Sequence, residues 1–381
     1  MTIAPNSSGW REDTGGVPEP RRFLDLAAMA AIRSAGNVEP NPLVGAVLVK
    51  NGRVIGIGHH RRFGGPHAEV DALASAARQG YDASGATMYV TLEPCCHTGK
   101  TPPCTGAILR AGVSNVIFAT RDPAPASAGG AEVLLASGVR AAASDASPFA
   151  AWISAPFRKR VTTGHPWVIA KWAQTMDGQS VPPRDASRWI SSPASRARVH
   201  RLRARVDAVL VGLSTAVIDD PLLTVRGVRR ARRTPIRVIL DTRLELPLAS
   251  RLAQTATETP VVVLCAKGAA GSAQRARLEL MGVRIDPVAS RGERIDLGSA
   301  LAHLAASHQV ATLLVEPGPR LRASLLEADV VDHIIIHVAP TLANGRPAPA
   351  GASPTVDLPP GFRLGLRRRV GEDLELVYVR G

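Results

Sequence analysis

The chain has 381 residues, 45% of them hydrophobic, with 46 Lys and Arg against 32 Asp and Glu and a formal net charge of +14. That length accommodates two domains with separate cores, and no apolar run approaches the ~20 residues of a membrane span. The positive charge invites a nucleic-acid partner, but the arginines are scattered along the whole sequence and aromatic residues make up only 4%, so no base-stacking surface is expected.

Residues 1–22 are polar and lack a basic start followed by an apolar core, so they read as a flexible extension and not as a secretory signal. Residues 23–36 have helical periodicity and end at Gly36. The turn-like EPNPLVG then leads to the alternating strand AVLVK, and Asn51-Gly52 predicts a hairpin into RVIGIG. His67 to Arg78 reads as a helix, 86–92 as a buried strand, Cys104 to Ala111 as a short helix and VSNVIFAT as another strand. A hairpin followed by alternating helices and strands predicts an α/β domain over 23–147.

The segment 148–165, with its Pro, Ser, Thr and Gly, is expected to be a linker into a second α/β domain over 166–381. WVIAKWA opens that domain. VDAVLVG, IRVILD, PVVVLC, ATLLVEP and DHIIIHVAP are its further strand candidates. Residues 193–204, 270–281 and 319–327 are helix-like, and the end of the chain reads as a terminal pair of strands.

Four cysteines, Cys95, Cys96, Cys104 and Cys265, are too few and too uneven for a disulfide framework. Three of them crowd into ten residues, which favours metal binding in a reducing compartment, and a cytoplasmic protein is expected. PHAEVDAL and TLEPCCHTGKTPPC together supply a histidine, a glutamate and cysteines beside predicted helix starts. That is the ligand chemistry of a hydrolytic zinc deaminase, in which one His and two thiolates hold the ion and a glutamate moves protons without binding it. The reading assigns His67, Cys95 and Cys104 to one Zn2+ and Glu69 to the proton shuttle. Adjacent cysteines at a helix start cannot easily share one metal, which disfavours Cys96. His97, in the same tight turn, is the alternative third ligand. A purely structural zinc would call for a fourth protein ligand and would leave Glu69 without a role.

From Asn41 to Asp122 the chain resembles the bifunctional riboflavin-biosynthesis deaminase/reductase family, through NPLVGAVLV, GHHRRFGGPHAEVDAL and TLEPCCHTGKTPPC. KWAQTMDG, SRWISSPASR, HRLRARVDAVLVG, STAVIDDPLLTVR and VEPGPRL resemble its reductase half in order. The resemblance implies a cytidine-deaminase-like three-layer α/β/α domain followed by a dihydrofolate-reductase-like α/β domain. It implies a phosphorylated pyrimidine substrate: the 2-amino group of a diaminopyrimidinone ribosylamino phosphate is hydrolysed, and NADPH then reduces ribosyl to ribityl. A homo-oligomer is expected.

By the same resemblance Asn41, His60, His97 and Lys100 fall on substrate positions of the deaminase. Ala173, Trp189, Thr215, Asp219 and Thr242 fall on positions for the nicotinamide cofactor, together with Gly318, Pro319, Arg320, Leu321, Arg322, Ala323 and Ser324, which open a helix. Ser187, Arg203, Leu223, Arg226 and Glu316 fall on reductase substrate positions, with Arg203 and Arg226 as the natural phosphate partners because a guanidinium offers paired donors. No G-x-G-x-x-G follows a strand, so a standard dinucleotide fingerprint is absent. Four positions depart from the family pattern, one of them Cys96, which replaces a usual Ser. Ala124 stands where Asn is usual in Asp-Pro-Asn-Pro, Ser154 replaces a linker Asn, and Pro317 replaces Gly or Ala.

Overall fold

The computed structural model describes residues 19–99, 101–180, 189–229, 234–271 and 273–380. The chain divides into two compact units between Thr162 and Thr163.

The first unit runs α1 (Glu19–Ala31), β1 (Gly45–Lys50), β2 (Arg53–His59), α2 (Ala68–Arg78), β3 (Thr87–Val90), α3 (Cys104–Arg110), β4 (Asn115–Phe118), α4 (Gly130–Ala136), β5 (Arg140–Ala143), α5 (Pro148–Ile153) and α6 (Ala155–Thr163). Its sheet has the order β2-β1-β3-β4-β5, with β1 antiparallel to both neighbours and the last three strands parallel. Asn51 and Gly52 both take positive φ, 52° and 73°, as the predicted hairpin requires. Alternation along β1 sorts the core. Ala46 and Leu48 pack with Ala72, Ile108 and Leu134 on the side of α2, α3 and α4, whereas Val47 and Val49 join Leu24, Ala27 and Ile153 on the side of α1 and α5. At Gly58 a Cβ would lie 2.1 Å from the Ala72 nitrogen, so glycine is what lets α2 press onto β2.

The segment expected to be a linker is instead helical over most of its length. Ser147 accepts the Ala150 N–H at 2.9 Å and Pro148 sits at the first helical position, so the Ser-Pro pair starts α5. Ala150 and Ile153 are buried against the α1 face, which makes this stretch part of the first unit.

The second unit contains β6 (Trp167–Gln174), α7 (Pro193–Arg203), β7 (Ala208–Gly212), α8 (Leu213–Ile218), β8 (Ile236–Leu240), α9 (Arg251–Gln254), β9 (Val261–Ala266), α10 (Ala273–Leu280), β10 (Arg284–Val288), the short strands β11 (Ser290–Arg291) and β12 (Arg294–Ile295), α11 (Leu297–Ser307), β13 (Thr312–Val315), α12 (Pro319–Glu327), β14 (His333–Val338), β15 (Phe362–Val370) and β16 (Asp373–Arg380). Nine strands form one sheet, β10-β9-β8-β7-β13-β6-β14-β16-β15, parallel from β10 to β14 and closed by an antiparallel hairpin. The parallel strands are apolar on both faces because helices cover both. The late return of β13 between β7 and β6 makes a switch in strand order, where the loops at the carboxyl ends splay apart. Among the described residues no helix is long and apolar enough to cross a membrane.

Candidate active sites

In the first unit, two loops and two helix starts converge. His67 is the N-cap of α2 in extended conformation, and Glu69 lies in the first turn of that helix. Cys104 is the first residue of α3. Cys95 lies in the loop ahead of α3 in sequence, yet reaches its start in space: its carbonyl accepts the Thr105 N–H at 3.2 Å and its sulfur the Cys104 N–H at 3.4 Å. His67 Nδ1 stands 3.3 Å from Cys104 Sγ and 3.5 Å from Cys95 Sγ. Thr101 Oγ1 lies 3.3 Å from His67 Nε2, which suits a ring protonated at Nε2 with its Nδ1 lone pair turned to the sulfurs.

This donor set fits a zinc ion. Two thiols and an imidazole crowd one point and, without metal, must share protons among themselves. The Cys104 thiol, then the His67 ring, pull Cys95 toward thiolate, while Cys95 and burial push Cys104 up. Glu69 is 3% exposed and its Oε2 has no hydrogen-bond partner among the described residues. Burial, reinforced by the Cys95 thiolate, pushes its carboxyl up to about 7. Glu69 is not among the donors that crowd this point, and its unpartnered oxygen lines the cavity beside them.

Cys96 turns away, with its sulfur 3.0 Å from the Ala128 carbonyl. His97 lies outside the triad but lines the same cavity of about 370 Å³, together with Asn41, His60, Glu69 and Ala124. Asn41 Nδ2 is 3.3 Å from His60 Nε2, and His60 Nδ1 is 2.9 Å from the Pro66 carbonyl, so the ring donates there and receives the amide. Burial holds His60 below its ordinary range and therefore neutral. Lys100 lies outside the described residues. Phe63 and Phe157 also line the cavity, and sequence reasoning passed over both. An isolated Phe gives no signal that separates a pocket wall from core.

In the second unit, strand order gathers several positions that the resemblance assigns to the cofactor. Thr242 follows β8, Thr215 lies in α8 just after β7, Glu316 and Gly318 follow β13, and Ala173 lies near the end of β6. These four strands are neighbours in the sheet. Gly318 caps α12, and a Cβ there would come within 3.2 Å of Thr215 Oγ1. Pro319 and Arg320 follow as the first, exposed residues of α12, and Ala323 and Ser324 lie one turn on. Leu321 packs against Gly212, and Arg322 reaches Ser180 Oγ at 2.8 Å and lies over the Trp172 ring. Asp219 ends α8, and Trp189 is half-exposed beneath the Arg196 guanidinium. Ser187 lies outside the described residues.

Two substrate positions differ from expectation. Arg203 gives Nε and Nη2 to the two Glu316 oxygens at 2.6 and 2.9 Å, and Nη1 to the Thr224 carbonyl at 3.2 Å. Its paired donors are therefore committed within the protein, whereas Arg226 is exposed. Leu223 is 2% exposed with its side chain in the core and a left-handed φ of 53°, so only its backbone can face a ligand. Lys171 escaped the sequence reading. Burial lowers its ammonium pKa, and Glu316, Arg203 and Asp373 are the charges it feels.

Comparison with known proteins matches both halves. The cytidine and deoxycytidylate deaminase zinc-binding region matches residues 18–120 and the RibD C-terminal domain residues 166–364. The riboflavin biosynthesis protein RibD of Aquifex aeolicus is 37% identical over 364 residues, covering 94% of this chain and 98% of the relative. That of Escherichia coli K12 is 35% identical over 373 residues with the same coverage. The chain belongs to the RibD family. RibD proteins couple a zinc-dependent deaminase to an NADPH-using reductase in riboflavin biosynthesis, and this chain carries both enzyme domains. Solved RibD structures agree: that of Acinetobacter baumannii (form 1) has TM-score 0.78 at 33% identity, covering 95% of this chain and 99% of its own. The deaminase/reductase of Thermotoga maritima gives the same TM-score, identity and coverage.

The departures from the RibD pattern have distinct settings. Ala124 lines the cavity, and its N–H donates to Asp122 Oδ1 at 2.9 Å. Ser154 is fully buried, its hydroxyl 3.3 Å from Thr120 Oγ1. Pro317 is buried just ahead of the α12 cap.

Proposed function

We propose that Glu69, His67, Cys95 and Cys104 carry the deamination, with Asn41, His60, His97 and Lys100 holding the pyrimidine of a ribosylamino 5-phosphate. The observation that carries this reading is the unpartnered Glu69 oxygen in the cavity beside the His67–Cys95–Cys104 triad. Zinc, when bound, lowers the pKa of water to about 7 and makes a nucleophile available. Glu69 takes the proton released from the attacking water and delivers it to the ring nitrogen next to the amino-bearing carbon. It then takes the second proton from the new hydroxyl and passes it to the departing amine. One water is consumed, one ammonia leaves, and the carbon becomes a carbonyl. Asn41, held by His60, presents an amide to the ring edge.

In the reductase unit, the ends of β6, β7, β8 and β13 bind the cofactor through Ala173, Trp189, Thr215, Asp219, Thr242 and the turn from Gly318 to Ser324. NADPH, when bound, supplies the hydride that turns the ribosyl group into ribityl. Arg203 orients Glu316 toward the sugar, and Arg226 receives the phosphate. The free N–H groups at the start of α12 favour a cofactor phosphate.

Supplying the diaminopyrimidine phosphate with NADPH and following ammonia and NADPH separately tests both halves. Ammonia release without NADPH loss would sink the coupled reading. Glu69→Gln should keep its zinc and lose deamination by about 10²–10⁴-fold. Undiminished ammonia release from that variant would remove Glu69 from the mechanism.

A further inference from the structure

A second ligand cluster lies in the reductase unit, at the edge strand β10, which β9 separates from the cofactor strand β8. Asp286 is on β10, the edge strand, His303 is on α11 and His308 is the residue that ends that helix. Asp286 Oδ2 is 2.8 Å from His303 Nε2 and 2.6 Å from His308 Nε2. The rings stand edge to face with centroids 5.7 Å apart. The side chains of Asp286 and His308 are 9% and 6% exposed, whereas His303 at 27% leaves a way in from solvent.

We propose that Asp286, His303 and His308 form a second site for a zinc-like divalent ion, which pins edge strand β10 to the end of α11. Two imidazoles aimed through the same nitrogen at one carboxylate oxygen make an N2O set that borderline ions such as Zn2+ prefer. The outer contacts suit the same arrangement. Ser307 Oγ lies 3.4 Å from His303 Nδ1, where it can accept that ring's N–H and turn the Nε2 lone pair inward. Arg284 donates to the other carboxylate oxygen at 2.8 Å, fixing Asp286 while leaving Oδ2 to the histidines. Metal–ligand distances of about 2.0–2.2 Å require the donors to spread by roughly 0.6–0.8 Å. A fourth position stays open to water, and the role is structural, since the ligands join the edge strand β10 to the end of α11.

The test uses the untagged full-length chain, equilibrated with buffered Zn2+ and analysed for metal per chain. Two equivalents are expected for the wild type, falling to one in His303→Ala/His308→Ala with deaminase activity kept. One equivalent in the wild type overturns the proposal, as do two equivalents that survive the double substitution. Because that variant could misfold, cadmium-113 NMR on the wild type decides independently. A thiolate-type resonance accompanied by a second one in the nitrogen/oxygen range supports the site, and a thiolate-type resonance alone refutes it.

Discussion

Arg203 and Glu316 face each other as a two-pronged ion pair, with Nε–Oε1 at 2.6 Å and Nη2–Oε2 at 2.9 Å, joining the last residue of α7 to the residue after β13. Burial opposes both charges, and each nevertheless holds the other ionised: the Glu316 carboxyl stays below its usual range and the Arg203 guanidinium above its own. Removing one partner strands the other. Arg203→Met should therefore cost about 3 kcal/mol in urea unfolding of the reductase unit and abolish NADPH oxidation, with deamination unaffected. Arg203→Met/Glu316→Leu should regain most of that stability and none of the reduction. Recovery of NADPH oxidation in the double variant would show that the pair serves packing only.

Thr101 touches the proposed metal ligand His67. Its hydroxyl, 3.3 Å from His67 Nε2, accepts that N–H and sets the ring so that Nδ1 faces the sulfurs. Thr101→Val keeps the shape of the side chain and deletes the acceptor. Zinc affinity, measured by competition with a chelator, should fall about 10–100-fold. Thr101→Ser should restore it.

His333 gives the reductase unit an acid-sensitive core. The side chain is buried on β14, and burial, partly offset by Glu375, lowers its pKa to about 4 from an ordinary 6.5. Its folded pKa lies below the unfolded one, so the unfolded chain takes up the proton first as pH falls. The stability it allows is complete above pH 6.5 and declines between 6.5 and about 4, by about 3 kcal/mol in all. His333→Gln should flatten that part of the unfolding profile. An unchanged acid limb would place the sensitivity elsewhere.

The parts of this molecule that were legible share a local cause. β7, β8, β9, β13 and β14 are short runs of β-branched and leucine residues bounded by polar punctuation, the pattern of strands buried on both faces. β10 has the sequence RIDPV, and β5 is RAAA on an exposed edge; neither alternates or concentrates apolar residues enough to announce a strand. The convergence of His67, Cys95 and Cys104 could be read because these residues fall within 38 positions and belong to types with few other uses together. The reductase positions are spread from Ala173 to Ser324, and only the order β8-β7-β13-β6 brings them to one edge. Lys171 shows the limit most clearly. A lone lysine in an apolar strand reads as a solvent-facing position until the sheet sets it near Glu316.

Ala124 tests how far a missing amide can be supplied. Its backbone is already held in a turn, with its N–H on Asp122 Oδ1 and Asp122 in turn taking the Ser127 hydroxyl at 2.6 Å. Its side chain lines the cavity that also holds His97 and Asn41. An asparagine there would enter a formed loop with space before it, so little backbone reorganisation opposes the change. One added hydrogen bond to the pyrimidine contributes about 0.5–1.5 kcal/mol, which is roughly 2–10-fold in kcat/KM for deamination. Ala124→Asn should produce that gain without altering zinc content or NADPH oxidation. A gain confined to KM would mean that the amide only binds the pyrimidine, whereas a gain in kcat would place its contact in the transition state. No gain in either would mean that the neighbouring Ser127, Asn41 and His97 already satisfy the ring edge.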